Sequence, residues 1–253
     1  MVRTTLLTLM LLAAMPPAAS TEAPHFRDIP GGTFRSTLRV EGEPDERNVA
    51  SFQLMERPVS RRQYLDFLQT HPQWRRAQAP SLFVDSGYLA DLADEVSVSE
   101  LDRPVAHVSW FAADAYCKSQ GARLPDWIEW EYVAAADDHR IDARDDVKQL
   151  SLRVNDGTPR AIDARPDAPP NLHGVRGMHG AYWEWVDDYS TLLTAGEQRA
   201  QDDGDRLKFC GATALSFNHR DDYAVLKRVA VLSAMQSRST LGNLGFRCAR
   251  SQP

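Results

Sequence analysis

The segment at residues 108–138, VSWFAADAYCKSQGARLPDWIEWEYVAAADD, constrains the fold most because it predicts two short helices joined by a turn. Ser109 is a good N-cap for the first helix, and Gly121 stands where a helix needs a left-handed residue to end. Asp126 caps the second helix, and Glu129, three residues later, completes a capping box. The segment therefore predicts a helix–turn–helix unit inside a larger fold.

Around this unit the sequence predicts short strands and long loops. Residues 26–34 read as a strand, a Pro-Gly-Gly turn and a second strand, residues 51–55 read as another strand, and Ser60 begins a further helix. The 15 prolines, 14 glycines and 6 tryptophans are typical of an irregular domain rather than a helical bundle. The aromatic residues of WIEWEY and YWEW fit a core. We predict one loop-rich α+β domain at residues 21–253.

The first 20 residues predict a signal peptide. Arg3 supplies a positive charge, an apolar run follows at residues 6–15, and two prolines and small residues precede the expected cleavage near residue 20. The run is too short to cross a bilayer, so we expect a periplasmic or secreted protein that does not enter the membrane after signal removal. Loss of Arg3 leaves 28 basic against 35 acidic residues, a net charge of −7, which gives no electrostatic basis for binding nucleic acid.

Six segments in a fixed order resemble one known family. They are IPGGTF, PVSRRQYLDFL, RPVAHVSWFAADAYC, GARLPDWIEWEYVAAA, GMHGAYWEWVDDY and NLGFRCA. Together they resemble the formylglycine-generating enzyme, or sulfatase-modifying factor, family, and the match extends over residues 26–249. The resemblance implies an irregular, loop-rich α+β domain that is a variant of the C-type lectin fold.

The resemblance also implies a disulfide. In that family the cysteine of the AYC segment pairs with the cysteine of the GFRC segment, and these fall on Cys117 and Cys248. A secreted chain favours oxidation, and both cysteines lie in apolar segments. The alternative is two unpaired buried thiols. If the pair forms, Cys210 is the thiol left over.

Members of the family oxidise a substrate cysteine to formylglycine with oxygen and copper, which two enzyme cysteines hold. Two thiolates suit Cu(I) and leave room for a third from the substrate. In this chain the serine of the family's Gly-Gly-Ser motif falls on Ala212, and the two copper cysteines fall near Leu215 and Ala224. The resemblance is therefore to a branch without the copper pair, and we do not expect copper as a cofactor.

The candidate catalytic residues are Cys210, His219 and Arg228. Cys210 stands where the family has the first glycine of the Gly-Gly-Ser motif, and with His219 it would form a nucleophile or a soft metal site. Arg228 would line a polar cleft beside them. The alternative is that Cys210 is a small buried apolar residue, which is how free cysteine commonly behaves.

A partial calcium site is a second implication of the resemblance. The family binds calcium through oxygen ligands, of which Glu184 and the backbone positions Gly180 and Tyr182 are present here. The family's side-chain ligand falls on Gly177, and the asparagine of its motif is Ala181. The alternative is that Glu184 is a buried acid satisfied by backbone donors or by an arginine.

Two functions follow from the resemblance. The first is a periplasmic oxidoreductase-like enzyme that matures or oxidises a protein, cofactor or metabolite without the copper pair. The second is a non-catalytic factor whose lectin-like cleft holds a small molecule, a peptide or a periplasmic protein. Branches that lack the cysteines resemble pyoverdine-maturation proteins or accompany copper-dependent denitrification enzymes, and the C-terminal segment is more similar to the second branch.

Overall fold

The structure is a computed structural model that describes residues 23–38, 46–92, 96–144, 169–179, 182–192 and 223–252. Its α-helices are α1 (Arg61–Thr70), α2 (Trp110–Ser119), α3 (Trp127–Ala134) and α4 (Tyr223–Ser233). Its strands are β1 (Phe26–Ile29), β2 (Gly32–Arg35), β3 (Glu46–Val49), β4 (Phe52–Met55), β5 (Trp183–Glu184), β6 (Leu244–Gly245) and β7 (Ala249–Ser251). These short elements with long connections confirm the loop-rich α+β prediction. The predicted signal peptide lies outside the described residues.

Within the described residues, the strands form three small sheets. β4 is the centre of an antiparallel three-stranded sheet, with β1 on one side and β7 on the other. β2 pairs antiparallel with β3, and β5 pairs in parallel with β6. The predicted strands on either side of the Pro-Gly-Gly turn both exist, but they pair with different partners. The first sheet therefore joins residues from the two ends of the chain.

The predicted helix starts are confirmed. Ser60 accepts a hydrogen bond from the N–H of Gln63 at 3.2 Å, and the Gln63 side chain accepts one from the Ser60 N–H at 3.0 Å. Ser109 accepts a hydrogen bond from the N–H of Ala112, also at 3.2 Å. Past α2, Gly121 has a φ of 61°, the left-handed conformation that the sequence predicted for it. Local side-chain chemistry therefore sets these helix boundaries.

The predicted disulfide between Cys117 and Cys248 is present, with the two Cα atoms 5.5 Å apart. It joins α2 to the residue that precedes β7. Beside it, Arg123 and Ala249 exchange two backbone hydrogen bonds of 2.9 and 2.7 Å. The disulfide and this bridge together attach the C-terminal strand to the helix–turn–helix unit.

The core around the disulfide is aromatic. Tyr64 of α1, Tyr116 of α2 and Phe246 are buried, and their ring centroids lie 5.4 to 6.2 Å apart. Trp130 and Trp185, from the WIEWEY and YWEW segments, are also buried, as the sequence predicted. Within the described ranges, the structure contains no helix that is long and apolar enough to cross a membrane.

We expect that replacing both Cys117 and Cys248 by alanine lowers the free energy of unfolding by about 4–5 kcal/mol. The reason is that the cross-link restricts the unfolded chain over a separation of 131 residues. Urea denaturation of the oxidised wild-type protein and of the double variant measures the difference. A Cys210→Ala variant is the control. Reduction of its disulfide by dithiothreitol should lower the free energy of unfolding by as much as it does in the wild-type protein. An unchanged unfolding midpoint in the double variant would contradict the role of the cross-link.

Candidate functional site

The centre of the candidate site is a buried ion pair between Glu184 of β5 and Arg247. The Arg247 Nε lies 2.7 Å from one carboxylate oxygen of Glu184, and one of its terminal nitrogens lies 2.7 Å from the other oxygen. Glu184 is 3% exposed and Arg247 is 0% exposed. A two-point pair of this kind fixes the orientation of both side chains and is stronger than a contact between single atoms.

Further hydrogen bonds complete the pair. The indole Nε1 of Trp130 donates to Glu184 at 2.9 Å. The Arg247 guanidinium also donates to the carbonyl oxygens of Met55 at 3.2 Å and Arg176 at 3.0 Å. Because each charge has partners, the large cost of removing it from water is offset. Of the two sequence-based alternatives to calcium, the arginine partner is therefore the one present.

The same geometry bears on the calcium prediction. Both oxygens of Glu184 accept hydrogen bonds from Arg247, so a cation bound there would lie beside a buried guanidinium. Tyr182 is half-buried, and Gly180 lies outside the described residues. In the part of the chain that the structure describes, no three His, Cys, Asp or Glu side chains are arranged to hold a metal ion. Calcium at Glu184 stays a prediction, and we derive no step from it.

Arg228 of α4 packs against the same tryptophan. Its guanidinium carbon lies 4.9 Å from the centre of the Trp130 ring, a cation–π contact. It donates to the carbonyl oxygen of Met178 at 3.2 Å, and it lies 3.1 Å from the Nδ1 of His179. Arg228 is buried, so it holds the last described helix against the glycine-rich turn.

The contacts of His179 define its tautomer. Its Nε2 lies 2.5 Å from the carbonyl oxygen of Ala134, so Nε2 carries the hydrogen and donates. Its Nδ1 faces a donor, the Arg228 guanidinium, and must accept. These two contacts place the ring between α3 and α4.

A second buried acid, Glu131 of α3, escaped the sequence analysis. Its oxygens accept hydrogen bonds from the Ser36 hydroxyl at 2.5 Å, the Thr37 N–H at 2.7 Å and the Trp127 indole at 3.0 Å. Burial raises the pKa of Glu131 despite these donors. The one signal in the sequence was its position between Trp130 and Tyr132 in α3. An acid among aromatic residues is expected to be buried and therefore to need hydrogen-bond donors.

A third set of polar side chains lies around His107. The backbone of His107 has a φ of 53°, in the left-handed region that few residues other than glycine and asparagine adopt. Its Nε2 lies 3.4 Å from Asp91, and Asp91 in turn lies 3.8 Å from Arg61. Its Nδ1 is buried without a hydrogen-bond partner among the described residues. The N–H of Leu89, which also has a positive φ, donates to the His107 carbonyl. No local sequence signal predicts these two left-handed residues.

Carboxylates gather at the start of α3. The Trp127 N–H donates to Asp188 at 2.8 Å, and the Asp126 N–H donates to Glu129 at 2.9 Å, which is one half of the predicted capping box. Arg123 makes a two-point ion pair with Glu129. Burial, and next the Glu129 carboxylate, raise the pKa of Asp126 to about 6.

The structure thus brings Glu184 and Arg228 to the same residue, Trp130, where Glu184 accepts from the indole N–H and Arg228 lies over the ring. Cys210 and His219 lie outside the described residues, so their predicted pairing stays a prediction. Arg247 was not predicted as the partner of Glu184. Its place in NLGFRCA, between a buried phenylalanine and a disulfide cysteine, was the signal that a charged side chain there would need a buried partner.

Comparison with known proteins identifies the family. Residues 12–252 match the sulfatase-modifying factor enzyme 1-like domain, and the chain belongs to this family. It is 32% identical over 177 residues to the formylglycine-generating enzyme of Bos taurus, covering 62% of this chain and 46% of that protein. It is 30% identical over 170 residues to the inactive C-alpha-formylglycine-generating enzyme 2 of Mus musculus, covering 60% and 50%.

The chain spans about half the length of the curated relatives that it matches. Among solved structures, the crystal structure of CarF is similar with a TM-score of 0.50 and 16% sequence identity. That similarity covers 91% of this chain and 99% of CarF, and it concerns the fold alone. The family is thus established by sequence, and a whole-chain likeness in fold agrees with it.

We expect Arg247→Met to lower the free energy of unfolding by about 3–5 kcal/mol, because it leaves the Glu184 carboxylate buried without its counter-ion. Adding Glu184→Leu to this variant should recover a large part of the loss. Urea denaturation of both single variants and of the double variant gives the coupling free energy. The matched control is Arg62→Met, which removes an exposed pair with Asp102 and should cost less than about 1 kcal/mol. Additive effects of the two buried substitutions would contradict the pairing.

The raised pKa of Asp126 predicts a pH dependence. The folded protein holds this proton more tightly than the unfolded chain, so ionisation of Asp126 lowers stability as the pH rises from about 4 to about 6. Asp126→Asn keeps a good helix cap without the charge. It should stabilise the protein at pH 7.5 by about 1 kcal/mol, a value reduced for solvent screening because the side chain is half-exposed, and have no effect near pH 4. Denaturation at both pH values measures this, and a pH-independent difference would contradict it.

Proposed function

We propose that this protein is an exported member of the sulfatase-modifying factor family that takes part in the maturation of a peptide, protein or small molecule without the two-cysteine copper reaction. The observation that carries the proposal is the Cys117–Cys248 disulfide. The chain has three cysteines, so the disulfide leaves one thiol, Cys210. One thiolate cannot form a two-thiolate Cu(I) site.

An exported location supports this proposal and is part of it. Disulfides persist in oxidising compartments such as the bacterial periplasm and are rare in the cytosol. The predicted signal peptide points to the same compartment. A C-type-lectin-like form of the fold, in which loops around a rigid core present a cleft, is also part of the proposal.

The arrangement of Glu184 and Arg247 favours a non-catalytic, binding form of the proposed function over a catalytic one. Glu184 and Arg247 neutralise each other and are closed off from solvent, so neither offers a free charge to a reacting group. The side chains at Ala212, Leu215 and Ala224 carry no group that binds copper. A relative described as inactive shows that the family includes members without the formylglycine activity.

A catalytic form is the second candidate. Its support is the position of Arg228, which lies in the helix that directly follows the segment carrying Cys210 and His219. By fixing that helix against Trp130, Arg228 would fix the position of the residues that follow the segment in the chain. In this form Cys210 is a nucleophile or a single thiolate ligand, and His219 is its base.

One experiment tests the proposal. Purified, oxidised protein at residues 21–253 is incubated with Cu(I), oxygen and a cysteine-containing peptide, and the peptide is analysed by mass spectrometry. We expect no formylglycine, and we expect one titratable thiol per denatured chain. The bovine relative is the positive control. Conversion of the peptide, or a mass-spectrometric cross-link from Cys210 to Cys117 or Cys248, would overturn the proposal.

Metal analysis of the same protein and of Cys210→Ser separates the two forms. A redox metal present at one equivalent in the wild-type protein and lost in the variant would favour the catalytic form. Equal, substoichiometric metal in both proteins would favour the binding form.

A further inference from the structure

An aromatic and basic surface lies away from the Glu184–Arg247 pair. We call it the aromatic–arginine patch and define it by six residues: Trp74, Arg76, Leu82, Phe83, Phe111 and Arg238. No part of the site described above includes them. They come from the segment after α1, the first turn of α2 and the loop after α4.

The apolar part of the patch is continuous. The Phe83 ring lies 6.2 Å from the Trp74 ring and 5.0 Å from the Phe111 ring, measured between centroids. All three rings are only partly buried, and the adjacent Leu82 is 73% exposed. Leaving a leucine and three aromatic edges in water is unfavourable, so such a surface marks a binding site more often than isolated apolar residues do.

The basic part is joined to the apolar part through the chain and through one backbone hydrogen bond. Arg76 is two residues from Trp74, and the Arg238 carbonyl oxygen accepts a hydrogen bond of 3.0 Å from the N–H of Asp85, two residues from Phe83. Both arginines are exposed, and neither forms an ion pair within the described residues. The sequence HPQWRRAQAPSLFV, at residues 71–84, contains no acidic residue, and Asp85 follows it. The Asp85 carboxylate is occupied, because it accepts hydrogen bonds from the N–H and hydroxyl of Thr240 and from the N–H of Gly87.

This local charge is opposite to that of the whole protein, which carries a net charge of −6. Other arginines in the described part of the chain, such as Arg61, Arg62 and Arg123, lie beside acids. Exposed arginines that form no ion pair, in segments that also carry partly buried aromatic rings, are suited to recognise carboxylates, because the guanidinium can bind two oxygens at once.

We propose that the aromatic–arginine patch docks an acidic segment of a partner polypeptide that also carries apolar side chains. The carboxylates of that segment pair with Arg76 and Arg238, and its apolar side chains cover Leu82 and the aromatic rings. The inference rests on the proposed function, because it names the class of partner that a maturation factor would hold. It does not depend on whether Cys210 is reactive.

A polypeptide fits the patch better than a nucleic acid does. The overall negative charge of the protein repels a long polyanion. A short acidic segment interacts mainly with the arginines next to it, because salt screens charges that lie further away than the Debye length. Leu82 also favours an aliphatic partner, since a base would stack on the rings and leave the leucine exposed.

The test measures the binding of short fluorescent peptides to the oxidised Cys210→Ser protein by anisotropy. One peptide alternates glutamate with leucine, the second replaces glutamate by lysine, and the third replaces leucine by serine. We expect the first peptide to bind at least about tenfold more tightly than the other two, since it satisfies both parts of the patch. We also expect its affinity to fall as the salt concentration rises.

Variants locate the binding surface. Arg76→Glu, Arg238→Glu and Leu82→Ser should each weaken binding of the glutamate–leucine peptide by about fivefold or more. Arg57→Glu is the matched control, because Arg57 is also exposed but follows β4 beside the Glu56 ion pairs. The control should bind as the wild-type protein does. Circular dichroism verifies that each variant is folded.

Several results would overturn the inference. In the peptide measurements these are equal affinity for the three peptides, no binding of any peptide, or tighter binding of an oligothymidine than of the glutamate–leucine peptide. In the variants it is a loss of affinity in Arg57→Glu as large as in the patch variants. In sedimentation it is a dimer of the wild-type protein that the patch variants abolish. None of them bears on formylglycine formation or on the thiol count. Failure of the docking surface is therefore distinguishable from failure of the proposed function.

Discussion

The guanidinium of Arg247 is the point on which the rest of the described structure depends. It reaches the carbonyl oxygens at the end of β4 and at residue 176, and it neutralises Glu184 on β5. Cys248, the next residue, forms the disulfide to α2, and β7 begins immediately after it. Residues 247–249 thus connect the β1–β4–β7 sheet, the β5–β6 sheet, the glycine-rich turn and the helix–turn–helix unit. A fold with so few regular hydrogen-bonded elements needs such specific contacts, because loops alone bury little apolar surface.

The three buried charged side chains are stabilised in the same way. Glu184, Glu131 and Arg247 are each removed from water, and each has several hydrogen-bond partners in different segments. Tryptophan indoles donate to both acids, so large apolar side chains also supply polar partners. Such networks specify one arrangement of the loops, since any other arrangement would leave a buried charge unpaired. These three buried charges therefore fix the positions of the segments around them.

Much of the local structure could be predicted from sequence, because its causes are local. The caps at Ser60 and Ser109 and the left-handed Gly121 follow from the chemistry of single residues. The disulfide followed from a resemblance over the whole chain, as did the α+β class. Strand pairing could not be predicted in the same way, because β1 and β2 find their partners at other positions in the chain. The Glu184–Arg247 pair joins residues 63 positions apart, and the left-handed His107 is imposed by its tertiary surroundings.

The pairing of β4 with β7 has a consequence for the order of folding. β4 ends at Met55, but its second neighbour, the counter-ion of Glu184 and the partner of Cys117 all lie between residues 247 and 251. A chain that is synthesised from its N-terminus therefore exposes one edge of β4, the unpaired Cys117 thiol and the unpaired Glu184 carboxylate until residues 247–251 are present. Closure of these contacts is a late, long-range event, which is slow and leaves the incomplete chain open to aggregation. Protection of the emerging chain by a chaperone, and oxidation only after release, would suit such a topology.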